Sequence, residues 1–152
     1  ENIYCSCVTE MRASDVRAAI IARIEGASVD DKASAGDVFR HVDVGAREIR
    51  GGKDRLFHVG LSTIPARSRM LITTDLYTAE WMVSIFYADM PGDMYDRIAK
   101  DAEKVMRQLD GLSGAYTDIC KTDLLPGNVT ELEGLVTANI TAIINYRLDS
   151  GV

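Results

Sequence analysis

Two histidines, His41 and His58, and three cysteines, Cys5, Cys7 and Cys120, are the residues best equipped for metal or nucleophilic chemistry. A zinc site gathers sulfur and imidazole ligands, commonly at short, recognisable spacings. The cysteines are odd in number and show no such spacing, which also argues against a disulfide framework and for a reducing compartment. The histidines lie in segments of different character, and neither has a cysteine or carboxylate cluster beside it in sequence. No G-x-S-x-G, H-E-x-x-H, P-loop or G-x-G-x-x-G is present, and the glycine runs RGGKD and GLSG have the wrong spacing. Asp89, Asp93 and Asp96 gather at a helix start, where capping accounts for them. The sequence therefore predicts no catalytic residue, no cofactor and no metal. Convergence of His41, His58 and a carboxylate on one pocket would overturn that expectation.

Composition sets the frame for these residues. A chain of 152 residues, 47 % hydrophobic and 26 % charged, fits one domain with a real core. Residues 40–69 hold seven basic and three acidic side chains, a local +4, so the rest of a chain of net charge −6 carries −10. The overall charge argues against a general nucleic-acid binder, and the asymmetry marks either a solvated loop or basic and acidic patches that meet between copies. No segment approaches the 18 or so continuous apolar residues of a membrane-spanning helix, so no membrane contact is expected. Residues 1–10 read as an extension in front of a single α+β domain over 11–152, soluble and cytosolic, with Met11 opening the folded unit.

The strongest structural signal is residues 131–148, where Leu132, Val136, Ala138, Ile140, Ala142, Ile144, Tyr146 and Leu148 alternate with mostly polar neighbours. A straight strand of that length would reach about 60 Å, against ~17–20 Å for an ordinary one. It must bend near Gly134 or project past its domain. Earlier in the chain, Ser14 is placed to cap a helix that runs to Glu25 and stops at Gly26. Residues 27–54 are poorly patterned and read as a long arm or loop, mobile until a neighbour orders it. Residues 55–64 form a strand that Pro65 either ends or forces to an edge position, 66–69 a turn, and 76–88 a strand with Tyr77, Ala79, Trp81, Val83, Ile85 and Tyr87 on one face. Met82 and Phe86 make the other face too apolar for open water. A helix over 94–109 buries Met94, Ile98, Ala102, Val105 and Leu109, pairs Arg97 with Asp101 on its exposed side, and stops at Gly111. A strand over 116–125 and a turn at Pro126-Gly127-Asn128 precede the long strand. The fold class is thus α+β, with two helices on one face of a roughly four-stranded, mainly antiparallel sheet and a long basic arm.

This order, carried by MRASDVRAAIIARIEG, RLFHVGLSTIP, EWMVSIFYADMPGDMYDRIAKDAEKVMRQLDGL and LLPGNVTELEGLVTANITAIINYRL, resembles the tail terminator, or tail-completion, proteins of long-tailed bacteriophages. The resemblance implies a virion structural subunit of tail and neck, assembled in the host cytoplasm. Subunits of that kind form a ring, usually of six copies, on the tail tube protein, halt tube growth and offer a surface to the head-tail connector protein, while DNA passes through without specific binding. The alternatives are another head-tail joining or minor tail protein, or a small non-viral binding domain. Candidate contact residues are Arg47, Arg50, Arg67 and Arg69 from the basic region and Met82 and Phe86 from the second sheet face.

Overall fold

The side chains that alternate along the two central strands decide where the helices sit. The computed structural model describes residues 11–27, 39–43, 55–70, 74–87, 94–132 and 134–149. Among them are helices α1 (Ala13–Glu25), α2 (Met94–Asp110) and the one-turn α3 (Leu112–Ala115), and strands β1 (Arg40–His41), β2 (Leu56–Met70), β3 (Thr74–Tyr87), β4 (Ile119–Leu132) and β5 (Leu135–Asp149). The strands form one mixed sheet in the order β1-β2-β3-β5-β4, with β1 parallel to β2 and every other pair antiparallel.

On β3 the odd positions Ala79, Trp81, Val83, Ile85 and Tyr87 are buried, and on β5 the even positions Val136, Ala138, Ile140, Ala142, Ile144 and Tyr146. Register pairs Val83 with Ile140 and Ile85 with Ala138, so both sets share one face. Val16, Ala19, Ile20 and Ile24 of α1 and Met94, Ile98, Val105 and Leu109 of α2 join them in one core cluster. The architecture is therefore α+β, with five strands where the sequence suggested about four.

The fifth strand comes from the segment read as an arm. Phe39 is 1 % exposed, and β1 pairs Arg40 with Leu56 and His41 with Phe57, so residues 39–43 belong to the folded unit. Ala27 is buried too, and the rest of 27–54 lies outside the described residues.

Proline and glycine misplace three boundaries. Pro65 does not end β2: the strand passes through it and through the expected turn at 66–69, with register shifts around Thr63 and Ala66. Among the described residues only Arg40 and His41 pair on that side of β2, near its start, and none of them requires a proline N–H. Pro126-Gly127-Asn128 is likewise a bulge inside edge strand β4, between the Leu125–Thr141 and Asn128–Asn139 pairs. A Cβ at Gly127 would fall inside the Asn139 carbonyl, so glycine permits the close approach there. The reversal comes instead between Leu132 and Leu135, which pair with each other, and Gly134 between them has φ +80°. The presumed single strand over 131–148 is thus the end of β4 plus β5, a long hairpin folded on the glycine at which a bend was expected.

Helix ends also differ from expectation. Ser14 does not cap α1; the Asp15 carboxylate accepts the Arg12 backbone N–H at 2.9 Å, one turn earlier. Asp101 is not on the exposed side of α2. It is 2 % exposed and accepts Arg55 Nε at 2.8 Å, Arg55 Nη2 at 3.2 Å and the Tyr87 hydroxyl at 2.7 Å. This charged network ties the start of β2 and the end of β3 to α2. Burial, with the Asp101 carboxylate beside it, pushes the Tyr87 hydroxyl pKa upward.

Candidate interaction surface and a histidine cluster

Away from the helices, register lays the second sheet face out in rows. Gly60, Met82, Thr141 and Leu125 form one row across β2, β3, β5 and β4. Met82 is 39 % and Leu125 40 % exposed, two apolar side chains on either side of Thr141. The next row holds His58, Ser84, Asn139 and Asn128. There the Ser84 hydroxyl donates to Asn139 Oδ1 at 2.8 Å and Asn139 Nδ2 donates to Asn128 Oδ1 at 2.8 Å. A parallel link joins Thr78 to Asn145 at 2.6 Å. These links hold the polar groups in fixed orientations, so the face is pre-organised.

The sheet's margins are also open. Among the described residues β4 pairs only with β5, and Leu61 on β2 and Val129 on β4 remain exposed on the helix side because the helices cover the central strands first. Unpaired strand edges with apolar side chains invite pairing with another chain.

The six predicted contact residues fare differently. Met82 is exposed as expected, but Phe86 is 3 % exposed and cannot face a partner as it stands. Arg67 is half-exposed, with Nη1 3.8 Å from Asp75 Oδ2, so part of its charge is engaged within the chain. Asp75 is itself 7 % exposed, and its Oδ1 is buried without a hydrogen-bond partner. Arg69 lies on β2 opposite Leu76. Arg47 and Arg50 lie outside the described residues.

The structure also assembles a cluster that the sequence reading kept apart. Parallel pairing of β1 with β2 carries His41 and Asp43 to His58, and one ligand atom from each lies within 4.8 Å of the others. The His41 and His58 rings stack at 5.9 Å with 16° between their planes, and His41 meets Phe57 edge-on at 5.3 Å. Arg17 of α1 closes the group. Its Nε donates to the Val59 carbonyl at 2.8 Å, where β1 no longer covers β2. Its Nη2 lies 3.4 Å from His41 Nε2 and 3.2 Å from Asp43 Oδ1.

These partners assign the tautomers. A guanidinium only donates, so His41 Nε2 bears a lone pair; a carbonyl only accepts, so His58 Nδ1, 3.0 Å from the Val42 oxygen, bears a proton, which in the neutral ring leaves the lone pair on Nε2. Burial lowers the His41 pKa, favouring the neutral ring, and the Arg17 hydrogen bond lowers that of Asp43. No sequence motif marks this group, because its members come from α1, a two-residue strand, a bend two residues after it and a separate strand.

Comparison with protein-family models gave no match, and comparison with curated proteins gave none. No helix among the described residues is long and apolar enough to cross a membrane.

Proposed function

We propose that this protein is a ring-forming structural subunit of the tail-terminator kind, which caps a phage tail tube and presents a surface for head attachment. The carrying observation is the row holding Met82 and Leu125 on a pre-organised sheet face beside the open edge of β4. Exposed apolar side chains set among hydrogen-bonded polar ones are the mixture found in protein interfaces. Head-to-tail contact between this surface and a different surface of the next copy closes into a ring when the rotation per subunit divides a full turn.

Charge supports the same reading. The region around Arg67 and Arg69 lies in the basic stretch of an otherwise acidic chain, and complementary charge steers asymmetric docking more than it holds it. The acidic remainder would keep DNA from sticking as it passes through the ring.

Native mass spectrometry of the full chain tests the assembly. A single closed oligomer, reduced to monomers by Met82→Glu combined with Leu125→Glu, is expected. An oligomer indifferent to those substitutions would refute this contact surface. Another head-tail joining protein would form a ring as well, but would not arrest tube growth.

A further inference from the structure

The Arg17, His41, Asp43 and His58 group has chemistry that the ring does not use. We propose that His41, Asp43 and His58 bind one divalent first-row metal ion of the zinc type, through three protein ligands with a fourth position open, and that the Arg17 guanidinium holds this place until the metal displaces it.

Two imidazoles and one carboxylate suit zinc and its neighbours, whereas magnesium and calcium prefer all-oxygen sites. Zinc bonds of about 2.0–2.2 Å put tetrahedral ligand atoms about 3.4 Å apart. His41 Nε2 and Asp43 Oδ1 are 3.8 Å apart, and the full set lies within 4.8 Å, so the ligands need close by only a small movement. Asp43 can supply its share, because its side chain is 77 % exposed just beyond the end of β1.

The histidines are already prepared. The Val42 carbonyl fixes His58 in the tautomer whose Nε2 can ligate, the carbonyl-backed arrangement that orients metal-binding imidazoles. Gly60 leaves room beside that atom, since even an added Cβ would stay 3.7 Å from it. His41 presents its Nε2 lone pair to a cation in the structure as it stands, the Arg17 guanidinium. Arg17 can leave the group, because its side chain is 32 % exposed; the planar guanidinium swings out as one unit and gives up its bond to the Val59 carbonyl with the others.

The test is calorimetric titration of the chelator-stripped full chain with Zn²⁺, in a background where Cys5, Cys7 and Cys120 are serine so that thiols cannot bind. One Zn²⁺ per chain is expected, with affinity lowered about tenfold or more by Asp43→Asn and by His58→Gln. Arg17→Met should tighten binding by removing the competing cation. Asp43 is exposed, so Asp43→Asn keeps the test valid even if His58→Gln disturbs the strand. Absence of binding, or affinity unchanged in both ligand variants, overturns the site; unchanged or weaker affinity in Arg17→Met overturns the displacement by metal. The Met82 and Leu125 variants are read by oligomeric state and the ligand variants by Zn²⁺ uptake of the chain, so failure of one proposal is distinguishable from failure of the other, although His58 lies one row from Met82.

Discussion

Asp101→Ala is the substitution whose cost follows most directly from the structure. The carboxylate is 2 % exposed and takes two hydrogen bonds from Arg55, itself 1 % exposed, and a third from Tyr87. Removing it strips a buried guanidinium of its carboxylate, a change that costs about 3–5 kcal/mol when one member of a buried pair is lost. Against a total stability of about 5–15 kcal/mol, that is a large fraction. For a domain of this size each kcal/mol lowers Tm by about 2–4 °C, so the expected drop is about 6–20 °C. Tyr87→Phe removes only one bond to a charged acceptor and should cost about 1.5–3 kcal/mol. Urea denaturation of both single variants and the double variant would measure the costs and their coupling. A loss below about 1 kcal/mol for Asp101→Ala would refute the claim that this network ties the β2–β3 hairpin to α2.

Other expected outcomes follow from single contacts. Gly127→Ala forces a Cβ into the Asn139 carbonyl and should cost about 1–3 kcal/mol of stability, read by thermal melting, with amide exchange quickened along β4. Met82→Glu, at an exposed position, should change monomer stability by about 0.5 kcal/mol or less while weakening self-association in sedimentation velocity. Arg67→Gln is a cleaner probe of charge steering than reversal to glutamate, which would set a second carboxylate beside Asp75; it should weaken association in low salt and have little effect in high salt. An association equally weak at both salt concentrations would dismiss that arginine's role.

How much of this was legible depends on whether the signal was local. Strands β3 and β5 and helix α2 announce themselves through periodicity, because each lays one face on a single core. Proline and glycine in β2 and β4 look like turns, yet the neighbouring strand continues the ladder past each bulge, so pairing overrides the local punctuation. Arg55 and Asp101 are 46 residues apart, and nothing near either distinguishes a buried ion pair from solvated charges. The histidine cluster was hidden for a related reason: it depends on the parallel pairing of β1, two residues with no periodicity to read. Exposed Met82 followed from alternation alone, whereas the same alternation wrongly placed buried Phe86 against a partner.

The central claim is the capping of tail tubes, and electron microscopy tests it most directly. The tail-tube protein encoded in the same genome would be polymerised with and without this chain, and tube lengths and tube ends measured. Tubes ended by a ring of this protein and arrested in length are predicted; tubes that bear no ring and grow equally long with or without it would contradict the account.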